Sequence, residues 1–135
     1  MDAGLWKQER LLLAASQLPS DVPLAVVTGR PRRDLERSFA RYGLDDRFVA
    51  SVCMGESDAK PSPAPVRKVL ETLGVQRAWM LGDTPDDILA ARGAGVVALG
   101  IGAQPQDVDA LQRSGAARVA PSALIALQET LSCRR

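Results

Sequence analysis

Three short stretches of this chain place polar or charged side chains where an apolar run stops. The densest is Leu81-Gly82-Asp83-Thr84-Pro85-Asp86-Asp87, which crowds three carboxylates into one loop. Asp83 and Asp87, four residues apart across a strand-to-helix turn, can face one point, and oxygen ligands with some retained water suit Mg²⁺. The same residues also read as an ordinary helix start. In that reading Thr84 is the cap, Pro85 takes the first position, and Asp86 and Asp87 complement the helix dipole. Asp86 is most simply a first-turn helix residue.

In Val26-Val27-Thr28-Gly29-Arg30 a hydroxyl at a strand tip precedes a glycine and a helix start. The Thr28 hydroxyl and the amides of the helix N-terminus can donate to a phosphate, with Gly29 allowing close backbone approach. Thr-Gly turns also end many ordinary strands, so the string alone carries little. Arg30, Arg32 and Arg33 can assist an anion or simply form a solvated helix face. The third stretch, Ala59-Lys60-Pro61-Ser62-Pro63, stiffens one lysine with prolines. Such a lysine can neutralise a transferring phosphoryl group and nearby carboxylates, although a loop lysine by itself is usually just solvated.

The composition narrows the chemistry by exclusion. Histidine is absent, which removes Ser-His and Cys-His nucleophile pairs, histidine metal sites and imidazole acid-base work. Seventeen Lys and Arg against sixteen Asp and Glu leave a formal charge of +1. No long-range field therefore draws the chain to nucleic acid or to an anionic membrane, and any anion must be held locally. Cys53 and Cys133 match no metal spacing and read as reduced thiols in a cytosolic setting. Residues 1–20 contain no continuous apolar run of about 18 residues and no cleavage-like segment. The expectation is a soluble, cytoplasmic protein.

These side chains need a frame to hold them. Residues 5–18 carry apolar side chains mainly at helical spacing and stop at Pro19. The unbroken apolar run at residues 24–27 predicts a parallel strand buried on both faces. A helix from Pro31 places Leu35, Phe39 and Tyr42 on one face, with Gly43 as its left-handed cap. Residues 48–53 read as a strand and residues 54–65 as a proline-rich loop. Val66, Val69, Leu70 and Leu73 mark a helix stopped by Gly74.

A strand at 78–81, a helix from Pro85 with Ile88, Leu89 and Ala91 inward, and a strand at 96–101 follow. A helix at 107–115, a short edge strand at 117–119 and a helix at 122–131 capped by Ser122 complete the reading. Trp6 and Trp79 are expected in the core, and Gly100-Ile101-Gly102 reads as a strand end rather than a nucleotide fingerprint. The alternation predicts an α/β fold: a Rossmann-like parallel sheet with helices on both faces. At 135 residues one domain is expected over 1–135, with an N-terminal helix in 1–20 and the motif-bearing α/β part in 22–135. Ligands of such sheets bind beyond the carboxyl ends of the strands, where all three stretches fall.

From residue 24 to residue 131 the chain resembles the haloacid dehalogenase (HAD) superfamily of aspartate-dependent phosphatases. Thr28 resembles the family's second motif, Lys60 the third, and Gly82-Asp83-Thr84-Pro85-Asp86-Asp87 the fourth, in the family's order. The resemblance implies that Thr28, beside Gly29, binds the transferred phosphate. It implies equally that Lys60 stabilises that phosphate together with the nucleophile, and that Asp83 and Asp87 help hold Mg²⁺.

The family's first motif is an apolar strand ending in Asp-x-Asp, which supplies the nucleophile and a general acid-base. It has no counterpart here: Asp2 follows no strand, and Asp21 has no partner two residues on. In the family that strand lies between the Thr strand and the metal-site strand. Without it the two either pair directly, take a strand from another chain, or keep open edges. Too little chain separates Thr28 from Lys60 for a cap domain.

The implied activity is Mg²⁺-dependent hydrolysis of a phosphorylated small molecule through an aspartyl-phosphate. This chain would be truncated, or completed by a homodimer mate or second chain, and inactive alone. A catalytically inactive HAD-like binding or regulatory module is the alternative, and a receiver-like doubly wound domain a third. Neither nucleic acid nor a membrane is expected as a partner.

Overall fold

The computed structural model describes residues 7–132. Helices and strands alternate: α1 (Lys7–Ala15), β1 (Leu24–Val27), α2 (Arg32–Tyr42), β2 (Phe48–Val52), α3 (Ala64–Leu73) and β3 (Trp79–Gly82). They are followed by α4 (Pro85–Gly93), β4 (Val97–Ile101), α5 (Pro105–Arg113), β5 (Arg118–Ala120) and α6 (Ala123–Ser132). Gly43 and Gly74 close α2 and α3 with φ of 66° and 68°, a left-handed geometry that glycine adopts at no steric cost.

All strand pairs are parallel, and they form two sheets rather than one. β1 pairs with β2, and β3, β4 and β5 pair in that order. Direct pairing of β1 with β3 does not occur among the described residues. Each of these two strands keeps one edge without a ladder there.

Successive residues of β1 serve opposite faces, as a strand's period of two requires. Val26 packs with Leu12 of α1, Leu35 of α2, Leu44 and Cys53. Val27 packs on the other side, against a cluster of Val66, Ile88, Ala90, Ala98 and Leu111 from α3, α4, β4 and α5. Ile88 and Leu111 are each only 1% exposed, and burying such a side chain contributes about 1.5–3 kcal/mol. The α1 helix is also tied to α2 by a buried hydrogen bond in which the Ser38 hydroxyl donates to Glu9 at 2.6 Å.

Three expectations from the sequence need correction. Leu89 is 44% exposed. α4 buries Asp87, Ile88, Ala90 and Ala91, and at about 100° per residue Leu89 falls opposite the middle of that arc. Trp79 is 41% exposed. It opens β3 in register with Val97, itself exposed, so this apolar pair forms the rim of the core. The α5 helix begins at Pro105, with Gln104 as its cap residue, and ends at Arg113, because proline's fixed φ suits the first helical position. Trp6 and Cys133 lie outside the described residues. Cys53 is a free, buried thiol. Among the described residues no helix is long and apolar enough to cross a membrane.

Candidate functional site

The three polar stretches meet at the carboxyl ends of β1 and β3. Thr28 continues the β1 ladder, its N–H donating to the Val52 carbonyl at 2.9 Å. Its hydroxyl oxygen accepts the Arg30 N–H at 3.1 Å, which turns the chain toward α2. At Gly29 an added Cβ would meet no protein atom within 4 Å, so packing within the chain does not demand glycine there. Thr28, Gly29 and Lys60 line one cavity of about 290 Å³, with Val52, Cys53 and Met54 among its other walls. Asp83 and Asp87 are not part of that wall.

Lys60 is held by specific partners. Its ammonium donates to one carboxylate oxygen of Asp87 and, at 3.4 Å, to the Val27 carbonyl. The Lys60–Pro61 peptide is cis. Both members of the ion pair are largely shielded, with side chains 18% and 10% exposed. Lys60 thus links the end of β1 to the first turn of α4.

The other Asp87 oxygen accepts the backbone N–H groups of Asp83 at 3.1 Å and Thr84 at 3.3 Å. In return the Thr84 hydroxyl accepts the Asp87 N–H at 3.3 Å. This is a capping box, two terminal donors satisfied reciprocally, so the helix-start reading of the loop holds. The same carboxylate also fixes Lys60. Sequence reasoning passed over the reason for Gly82: a Cβ there would lie 2.3 Å from the Asp87 Cβ. Glycine lets the first turn of α4 fold back onto the end of β3.

The donor set fits a metal only in part. Among the described residues no group of three His, Cys, Asp or Glu side chains could hold an ion, so the three acidic residues of the loop do not converge. Asp86 is exposed on the first turn of α4 and Asp83 is exposed at the end of β3. Both Asp87 oxygens are engaged, one by Lys60 and one by the Asp83 and Thr84 N–H groups, so Asp87 steadies the start of α4. Mg²⁺ takes about six oxygens, so most would come from water, phosphate or groups other than these.

The basic cluster divides. Arg30 lies 3.7 Å from Asp34. Arg32 instead forks onto Glu56, Nε to Oε2 at 2.6 Å and Nη2 to Oε1 at 2.7 Å. The Arg32 hydrogen bonds and a further one from the Cys53 N–H pull the Glu56 carboxyl from its ordinary 4.5 down to about 2, and Glu56 raises Arg32 in turn. Burial pushes the neighbouring Cys53 thiol up.

A pH dependence follows. Glu56 titrates lower folded than unfolded, so its contribution is complete above about pH 4.5 and is lost as pH falls toward about 2. The difference in melting temperature between wild type and Glu56→Gln should be present at pH 6 and shrink steadily below pH 4. A difference independent of pH over that window would contradict the pairing.

Residues 16–101 match the family model for haloacid dehalogenase-like hydrolases. A phosphoglycolate phosphatase of Neisseria meningitidis is 35% identical over 101 residues, covering 72% of this chain and 43% of that protein. A pyrophosphatase PpaX of Halalkalibacterium halodurans is 34% identical over 76 residues, 54% of this chain and 35% of that one. An imidazoleglycerol-phosphate dehydratase of Phytophthora nicotianae is 45% identical over 80 residues, 58% of this chain and 18% of that protein. The chain spans less than half the length of each of these relatives.

Among solved structures, a haloacid dehalogenase-like protein of Agrobacterium tumefaciens matches with a TM-score of 0.76 at 20% identity, over 95% of this chain and 66% of that one. A HAD family hydrolase of Deinococcus radiodurans matches at 0.71 and 24%, over 95% and 58%. These likenesses speak for the fold. Because the family match takes in Thr28, Lys60, Asp83 and Asp87 together with the strands that carry them, the chain belongs to the haloacid dehalogenase-like hydrolase family.

Proposed function

We propose that this chain carries the phosphate- and Mg²⁺-binding part of a phosphomonoester hydrolase that works through an aspartyl-phosphate. The observation that most supports this is Lys60: a shielded ammonium, held between the Val27 carbonyl and Asp87, on the wall of the cavity that Thr28 and Gly29 also line. In this reading the Thr28 hydroxyl and the backbone at Gly29 donate to phosphoryl oxygens, and Lys60 offsets the charge that develops on them. Bound Mg²⁺ would neutralise phosphate charge, with Asp83 as this chain's donor and Asp87 aligning it. The relatives named as phosphatases of phosphoglycolate and as pyrophosphatase support a phosphorylated small molecule as substrate.

The attacking carboxylate comes, on this proposal, from a strand seated between β1 and β3. A homodimer mate, a second chain or a further segment of the same protein would supply it. The open edges of β1 and β3 are the places where such a strand would bond. A second reading is a catalytically inactive binding or regulatory module that keeps Thr28, Lys60 and Asp83 for recognition.

Thermal unfolding with inorganic phosphate and MgCl₂ tests the binding site. Ligand at a hundred times its Kd stabilises the folded state by about 2.7 kcal/mol. Wild type should melt several degrees higher with both ligands, and Lys60→Ala and Asp83→Asn should each keep only a small, still measurable part of that rise. Gly29→Ala should unfold within about 0.5 kcal/mol of wild type yet bind phosphate more weakly, since nothing in the chain occupies the space its methyl would fill. A wild-type melting point indifferent to phosphate would overturn the reading. The chain alone should hydrolyse p-nitrophenyl phosphate at the buffer rate. Turnover by it alone would contradict an external nucleophile.

A further inference from the structure

Resting on that phosphate-site reading, we propose that Arg32 and Glu56 form a clamp that sets the site's affinity by positioning Lys60, without either residue touching the ligand. Residues 53–63 join β2 to α3 with no helix or strand of their own, and such a segment loses much conformational entropy on being fixed. Besides Lys60's own bonds to Val27 and Asp87 and a Met54 N–H that donates to the Arg30 carbonyl at 2.8 Å, the interactions that fix it gather at Glu56. Its carboxylate accepts Arg32 twice and the Cys53 N–H at 3.0 Å, and its carbonyl accepts the Lys68 ammonium at 2.9 Å. Arg32 directs two further donors at Ser51, Nη1 to the hydroxyl at 3.0 Å and Nη2 to the carbonyl at 3.2 Å. One guanidinium therefore joins the start of α2, the end of β2 and the loop.

The placement of the clamp matters more than its strength. Arg32 lies four residues beyond Thr28, and Glu56 lies four residues before Lys60. The pair thereby fixes the distance between the two segments that carry the proposed phosphate ligands. Only Ser57, Asp58 and Ala59 separate Glu56 from Lys60, so the clamp anchors the loop close to where the lysine emerges. The Arg32 and Glu56 side chains are 41% and 32% exposed, and pairs so placed add little to global stability. A bidentate fork at such a site restricts geometry, which is what a positioning residue requires.

The test is a cycle of Glu56→Ala, Lys60→Ala and the double variant in the full chain. Affinity for inorganic phosphate is measured at a temperature where circular dichroism shows all of them folded. Cys53 labelling by a thiol reagent is followed in a Cys133→Ser background. Glu56→Ala should weaken phosphate about tenfold, as for a competent state reduced to about a tenth of the population. It should also speed Cys53 labelling by a similar factor, and it should have no further effect on phosphate once Lys60 is alanine.

Arg32→Lys, which keeps the charge and loses the fork, should shift phosphate affinity and labelling in the same direction by less, and it serves if Glu56→Ala does not fold. An equal loss of affinity in the Lys60→Ala background would overturn the clamp's action through Lys60, as would unchanged affinity in Glu56→Ala. Unchanged Cys53 labelling would overturn the clamp itself. A wild type that binds no phosphate would instead overturn the phosphate-site reading, whatever the labelling rate.

Discussion

Asp87→Ala should destabilise the fold by about 3 kcal/mol, the lower end of the range for breaking a buried ion pair. The side chains of the pair retain 18% and 10% exposure, which moderates the penalty without removing it. Two losses combine. The Lys60 ammonium is left shielded with only the distant Val27 carbonyl, and the Asp83 and Thr84 N–H groups lose their acceptor. With a urea slope of about 2 kcal/mol per M, the midpoint should fall by about 1.5 M. Adding Lys60→Met should recover part of this, because the stranded charge is then gone. A loss under about 1 kcal/mol, typical of exposed pairs, would mean that the pair is solvated after all.

Gly82→Ala should cost a similar amount, about 3 kcal/mol, for a steric reason. The new methyl would stand 2.3 Å from the Asp87 Cβ and 2.8 Å from its Oδ2. These are not the far end of a mobile side chain, because the capping box and Lys60 hold Asp87 from two sides. Either the end of β3 or the first turn of α4 must shift. For a chain of this length the melting temperature should drop by roughly 10 °C. Gly29→Ala, in open space, is the matched control. A Gly82→Ala melting point within about 2 °C of wild type would show that α4 sits more loosely on β3 than these distances imply.

What the sequence revealed tracks the range of the forces involved. The Gly43 and Gly74 caps, Thr84 at the start of α4 and the apolar run of β1 depend on neighbours a few residues away, and all were legible. The helical arc that excludes Leu89 was equally local but needed the full buried set to locate its centre. Trp79 misled because side-chain size suggested burial, whereas its position at the first residue of β3 decided exposure. Arg32 and Glu56 are 24 positions apart. Nothing in their spacing announces a contact that exists only because β1 and β2 lie side by side. The dual duty of Asp87 was half visible: its spacing suggested a site, its helix position suggested a cap, and the fold uses one oxygen for Lys60 and the other for the cap.

The division of the strands into two sheets bears on how this molecule comes apart. Among the described residues no ladder of backbone hydrogen bonds runs from β1 to β3. The halves are joined by the apolar cluster that takes in Val27 and Val66 with Ile88, Ala98 and Leu111, by helix packing, α1 on α6 and α3 on α4, and by Lys60 reaching Asp87. Such a seam is where partial unfolding begins, since contiguous cooperative units open at their weakest boundary. Amide exchange should therefore report two units with separate opening energies. Any anion gripped by Thr28 on one side and Lys60 on the other would act as a rivet across the seam, turning two opening events into one.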